Sequence, residues 1–101
     1  MQKIEDADEL RVHLIKNKFY WLKNGQHSLG TFEFHEDGTL TKSFNDDGGV
    51  WKTLSSTTLW FKNYFAEFVV EFNDVGTEGV LISPERNPPS KMIIKFGDDT
   101  I

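Results

Sequence analysis

Apolar and polar positions alternate most clearly between Thr58 and Phe72. In the second half of this stretch Ala66, Phe68, Val70 and Phe72 fall on one face, with Glu67, Val69 and Glu71 on the other. Side chains alternate faces along a strand, so a period of two marks a half-buried strand rather than a helix. Lys62-Asn63-Tyr64 interrupts the alternation and predicts a tight turn between two strands. The stretch holds four of the nine Phe, one of the three Trp and one of the two Tyr, which assigns it to the core.

The helical period occurs once, over Ile4–Ile15, with the capped body running from about residue 5 to about residue 16. Asp6 is a suitable N-cap and Glu9 stands three residues on, the spacing of a capping box. Ala7, Leu10 and Leu14 form a narrow apolar stripe with Ile15 at its edge. Lys16-Asn17-Lys18 closes the helix, with Asn17 expected in a left-handed conformation. Three turns are too few to hold a helix by themselves, so this one must dock on an apolar surface.

From Phe19 onward the pattern is one of short strands separated by turn signals. Phe19–Leu22 ends at Asn24-Gly25, and Gly30–His35 ends at Glu36-Asp37-Gly38, a hairpin of the Asp-Gly kind. Thr39–Phe44 runs into Asn45-Asp46-Asp47-Gly48-Gly49. Val50–Leu54 is followed by the polar turn Ser55-Ser56-Thr57 and then by the central hairpin. Asn73-Asp74-Val75-Gly76 turns into Thr77–Ser83. Pro84–Ser90 is a rigid loop that Pro88-Pro89 holds extended, and Lys91–Phe96 is the last strand.

About eight strands joined by tight turns imply antiparallel pairing in chain order. Kept flat, such a meander leaves two open edges, and closing it into an up-and-down barrel removes them. The predicted fold is therefore all-β: a single domain over residues 1–101, a small barrel with the N-terminal helix capping one end and Leu10 and Leu14 facing in. The alternative is an open, strongly curved sheet wrapped around the helix. The expected inward residues are Trp21, Phe32, Phe34, Leu40, Leu59 and Phe61, then Phe68, Val70, Phe72, Val80, Ile82, Ile94 and Phe96.

Composition narrows the function classes. The chain has 101 residues, no cysteine and a formal net charge of −5. Absence of cysteine excludes disulfides, thiolate metal sites and a cysteine nucleophile, and is compatible with a reducing compartment. The negative charge argues against nucleic acid, whose binding rests on neutralising phosphates with Lys and Arg. Apolar runs fall far short of the roughly 20 residues that span a bilayer. The acidic N-terminus lacks the apolar centre of a signal peptide. The expectation is a soluble, cytoplasmic protein or a domain cut from a longer chain.

One run of residues resembles a known family. A short helix leads to an aromatic strand ending at Trp21, followed by Phe32-x-Phe34 before Asp37-Gly38, then Gly49-Val50-Trp51 and Leu59-x-Phe61. Over roughly residues 14–61 this is similar to the small bacterial lipocalin-like domains. The resemblance implies a calycin-type barrel that binds a ligand or serves as an accessory module.

Candidate sites follow from these readings. The inward aromatics either fill the barrel or line a pocket for a fatty or aromatic ligand, since an eight-stranded barrel is just wide enough for one or the other. The ligand-binding candidates are Trp21, Phe34, Phe68 and Phe72, reached through the mouth opposite the helix. Trp60, Tyr64 and Tyr20, with Ile93, alternate to the outside and are candidate partner-binding anchors. Together with neighbouring acids they would suit a basic protein partner.

Catalytic and metal signatures are missing from the sequence: there is no G-x-S-x-G, no P-loop and no H-E-x-x-H, and no cofactor motif. Nothing in the spacing of His13, His27 and His35 makes them converge on a metal. Asn45-Asp46-Asp47-Gly48 lacks the alternating acids of a calcium loop and reads as a turn. Glu67 and Glu71 on one strand stand roughly 13 Å apart, too far for a glycosidase pair. Lys16, Lys18 and Lys23 beside Tyr20 and Trp21 read as ordinary surface. A non-enzymatic binding role is the expectation, with a small apolar ligand or a protein as its partner.

Overall fold

Asp6 starts the helix as predicted. Its carboxylate accepts from the Glu9 N–H at 2.9 Å, and the helix α1 runs over Ala7–Lys16 in this computed structural model, which describes residues 2–44 and 48–95. The Glu9 carboxylate reaches back one residue further than in a capping box, to the Glu5 N–H at 3.0 Å. The C-terminal end differs from expectation. Asn17 is extended (φ −129°, ψ 160°), and its side-chain amide donates to the His13 carbonyl at 2.9 Å. A side-chain bond to a free carbonyl does here what a left-handed residue does elsewhere.

Eight strands follow: β1 Lys18–Lys23, β2 His27–Phe34, β3 Leu40–Lys42, β4 Val50–Thr53, β5 Thr58–Lys62, β6 Glu67–Phe72, β7 Glu78–Ser83 and β8 Lys91–Lys95. They form one antiparallel sheet in the order β3-β2-β1-β8-β7-β6-β5-β4. Every neighbouring pair in the chain is therefore a neighbour in the sheet except β3 and β4, and the pairing of β1 with β8 curls the ribbon round on itself. Phe19 lies opposite Ile94, and Trp21 opposite Met92, across that junction. The remaining seam is bridged at Thr39–Val50, where Leu40 N–H donates to Gly49 O at 3.1 Å and Trp51 N–H to Gly38 O at 2.9 Å. The architecture is an all-β, nearly closed up-and-down barrel with one short helix.

The turns follow their residues. Asn24 (φ 54°) and Gly25 (φ 71°) both take positive φ, as a type I′ hairpin requires, and Gln26 N–H closes it on Lys23 O at 3.2 Å. At Asp37-Gly38 the Asp carboxylate accepts from both the Thr39 N–H and hydroxyl, and Gly38 takes φ 89°. Within the loop before β8, the Ser83–Pro84 and Asn87–Pro88 peptide bonds are cis.

The helix plugs the end of the barrel where β1 begins and β2 ends. Leu10 and Leu14 are fully buried, and polar ties fix the axis. Thr53 hydroxyl donates to Ala7 O at 2.8 Å, His13 Nε2 to Gly76 O at 2.8 Å, and Ile4 N–H to Asp74 O at 2.9 Å. Arg11 reaches the Glu36 carbonyl and lies over the Trp51 ring. Gly76 has φ 70°, and a Cβ there would meet Ile4 and the His13 ring within 2.8 Å, so only glycine lets the helix sit this close.

Among the expected inward residues, Trp21, Phe32, Phe34, Leu40, Leu59, Phe61, Val70, Phe72 and Ile94 are buried and Phe68 is partly so. Phe96 lies outside the described residues, as do Asn45-Asp46-Asp47. The assignment of Val80 and Ile82 is corrected: Gly79 and Leu81 point in, and Ile82 is 50% exposed. Val69 pairs with Ser83 but Val70 with Leu81, which leaves Ile82 as the extra residue of a β-bulge. Phe19, Trp51 and Met92 complete the core.

Candidate functional site: the mouth of the barrel

Opposite the helix the barrel is open, and the residues that reach this end are set by strand parity. On β1, Lys23 lies two residues past the buried Trp21. On β3, Lys42 lies two past the buried Leu40, and Phe44 two further on. Phe61 near the end of β5 and Phe68 at the start of β6 face each other across the hairpin. A second β-bulge, between Trp21 and Leu22, leaves Leu29 unpaired at the rim.

These side chains surround a cavity of about 160 Å3. Its walls are the rings of Trp21, Phe32, Phe44, Phe61 and Phe68, in continuous contact. Trp21 stacks on Phe32 at 5.3 Å between centroids, Phe32 meets Phe44 at 5.8 Å and Phe61 edge-on at 5.3 Å, and Phe61 stacks on Phe68 at 4.9 Å. Such spacings lie within the range of favourable ring pairs. Gly30, directly across from Trp21, makes this possible, because a Cβ there would lie 2.3 Å from Ser43 Oγ and 2.9 Å from the Phe44 ring.

Three cations border the same cavity: Lys23, Lys42 and Arg86. Lys42 is 7% exposed, pairs with Phe32 across the strands, and holds its ammonium 5.7 Å from that ring. Arg86 comes from the loop between β7 and β8, which Ser90 stitches down: its hydroxyl accepts from Asn24 N–H at 3.2 Å and its carbonyl from Leu81 N–H at 2.9 Å. No acidic side chain is among the described residues that line the cavity.

Of the ligand candidates from the sequence, Trp21 and Phe68 come together at this mouth. Phe34 and Phe72 lie at the other end, both packed edge-on against Phe19 beneath the helix. The reading overlooked Phe44, Leu29 and the three cations. The signal for Lys42 and Phe44 was available, since both share the parity of Leu40.

The partner candidates do not form one surface. Tyr20 on β1 and Trp60 on β5 stand four strands apart in the sheet order and so on opposite walls. Trp60 is half-buried with the Lys52 ammonium 5.0 Å from its ring. Tyr64 is 93% exposed and its neighbour Phe65 is 85% exposed, at the tip of the β5–β6 turn. Asn63 Oδ1 accepts from the N–H groups of Phe65 at 2.8 Å and Ala66 at 3.0 Å, fixing that tip. A shallow groove of about 510 Å3 runs beside it, lined by Gly49, Val50, Lys62, Asn63 and Tyr64. Another, of about 550 Å3, lies along the polar N-terminal segment and helix. Both are larger than the mouth cavity but lack its aromatic walls.

The remaining polar groups have structural partners. His13 is tied to Gly76, and His35 Nε2 lies 2.7 Å from Thr41 Oγ1. Among the described residues no three His, Asp or Glu side chains converge as a metal site would require. Glu71 accepts from the hydroxyls of Thr57 and Thr58 on the outer wall. Lys18 and Lys23 are at opposite ends of β1. No helix among the described residues is long and apolar enough to cross a membrane. Compared with known proteins, the chain matches no family model, no curated protein and no solved structure.

Proposed function

We propose that this chain is a non-enzymatic, lipocalin-like binding module that takes a small apolar ligand in the mouth of its barrel. The observation that carries this reading is the cavity of about 160 Å3 walled by five aromatic side chains. Most of the interior is filled by side chains, so the ligand space is confined to the open end. A cavity near 150 Å3 lined by apolar groups is about the size that accepts one benzene ring, whereas drug-sized ligands use clefts of about 300 Å3 or more. The ligand is therefore ring-sized and not a long fatty chain. Binding would be driven by moving its apolar surface out of water and against preformed aromatic walls. A cytoplasmic location fits the cysteine-free composition.

Tryptophan fluorescence tests this directly. In the double variant Trp51→Phe/Trp60→Phe the remaining indole, Trp21, stands in the cavity wall. Titration with toluene should shift or quench its emission saturably, and dodecanoate should compete poorly. A Trp21 signal indifferent to ring-sized ligands would overturn the reading.

A second reading has its own observation. Tyr64 and Phe65 project from a turn that Asn63 holds in one shape, and two exposed aromatics on a fixed tip are typical anchors for a protein partner. In this reading the module docks through Tyr64 and Trp60, and its acidic surface favours a basic partner. Loss of a partner on Tyr64→Ala/Phe65→Ala, with thermal stability unchanged, would favour it over the mouth.

A further inference from the structure

We infer that the ligand of the mouth is a ring-sized anion, an aromatic carboxylate, held with its ring among Trp21, Phe32 and Phe61 and its charge toward Lys42 and Arg86. The inference rests on the binding role proposed above and adds the ligand's charge.

Three observations carry it. The chain as a whole has a net charge of −5, yet three cations and no acid are among the described residues that border this one cavity. Local charge of the opposite sign to the whole is what selects a small ligand from solution. Second, Lys42 is held on the inward side of the barrel wall, and a cation withdrawn from water interacts with an opposite charge more strongly than an exposed one does. Third, the cations differ in kind. Lys42 is a compact point charge at the wall, whereas Arg86 offers a planar fork suited to both oxygens of a carboxylate, from a loop anchored by the buried Ser90.

The same features exclude the alternatives. A cationic ring would face three like charges in a mouth of low polarity. A neutral hydrocarbon would use the walls but gain nothing from the rim. A long-chain fatty acid carries the right head group, but a cavity of about 160 Å3 cannot enclose its tail. A benzoate-like ion satisfies both the walls and the rim.

Three ligands of matched shape test the proposal: benzoate, benzyl alcohol and benzylamine, titrated into the full chain by calorimetry with Trp21 fluorescence alongside. Benzoate should bind about tenfold or more tighter than benzyl alcohol, the gain expected of one charge-assisted contact, with benzylamine weakest. The advantage should shrink as salt rises from about 0.05 to 0.5 M, because the rim is partly solvated. Lys42→Met should abolish the preference for benzoate and leave benzyl alcohol binding intact. Arg86 is exposed, so Arg86→Met, which keeps the apolar stem, carries the test if Lys42→Met fails to fold. Equal affinity for benzoate and benzyl alcohol would overturn the anionic ligand while sparing the pocket. Failure of all three to bind would overturn both.

Discussion

Phe72 on β6 lies directly across the sheet from Gly79 on β7, and its ring covers the space where a side chain on Gly79 would stand. A Cβ at Gly79 would be 2.6 Å from Val70 Cγ1 and 3.0 Å from the Phe72 ring. Glycine in a strand interior weakens it intrinsically, and here the loss is offset by letting a large aromatic lie flat under the helix. Gly79→Ala should overpack the barrel and destabilise it by about 1–3 kcal/mol in urea unfolding. Val80→Ala, one residue on and facing out, should stay within about 1 kcal/mol. Equal effects at both positions would reverse the facing assigned to β7.

This strand also shows where sequence reading loses its grip. The alternation of β6 is enforced by Glu67 and Glu71, so its inward face was legible. In β7 the run Gly79-Val80-Leu81-Ile82 has no polar residue to break the symmetry between the faces, and the bulge at Ile82 slips the parity by one. The barrel, the helix cap and the mouth opposite it were all legible because turn residues and charged outward positions mark them. The membership of the mouth was legible only in part. Trp21 and Phe68 follow from alternation alone. Phe44 depends on Gly30 leaving room for it, and Arg86 on how a loop folds back, neither of which has a periodic signature. Lys42 was overlooked because a lysine is ordinarily read as solvent-facing, although its parity with Leu40 placed it inside.

The helix should be the most sensitive element despite its three turns. Leu14 is fully buried, and Leu14→Ala should cost about 2–5 kcal/mol. Gly76→Ala attacks the same interface from the other side by driving a methyl group into Ile4 and the His13 ring, in addition to straining φ 70°. The expected loss is about 2 kcal/mol or more. Amide exchange would locate it: protection should fall first along Ala7–Lys16, with β5 and β6 still slow. Uniform loss of protection would mean that the helix and barrel unfold as one unit.

Asp37 supplies a prediction in acid. The Thr39 hydroxyl, at 2.6 Å, and then the Thr39 N–H hold its carboxyl below the ordinary value of 3.8, with His35 adding in the same direction. A folded-state pKa below the unfolded one means that the turn gains stability from the carboxylate above pH 3.8. That gain disappears as pH falls through the depressed folded value. Thr39→Val removes the hydroxyl and should raise the Asp37 midpoint toward 3.8, read from its carboxyl carbon by NMR. Asp37→Asn should flatten the stability profile only in that acidic window. A midpoint unmoved by Thr39→Val would assign the depression to another group.

The shape of the mouth depends on one glycine more than on any single ring. Gly30 has φ 144° and lies under Ser43 and Phe44, and Ser43 is bound there twice. Its N–H donates to Thr31 O at 2.9 Å and its hydroxyl accepts from Thr31 N–H at 2.8 Å. A methyl group on Gly30 would push this segment away from β2, taking Phe44 off Phe32 and opening one wall of the cavity. Gly30→Ala should therefore weaken binding of a ring-sized ligand by about tenfold, the equivalent of losing roughly half of one aromatic contact surface. It should also lower stability by about 1–3 kcal/mol through backbone strain. Phe44→Ala separates the two effects, because it removes the wall without straining the backbone. If Gly30→Ala lowers stability but Phe44→Ala leaves affinity for toluene unchanged, the wall contributes nothing to binding and the cavity is only a gap in the packing. If both weaken toluene binding alike, the close passage of β3 over Gly30 is what forms the pocket.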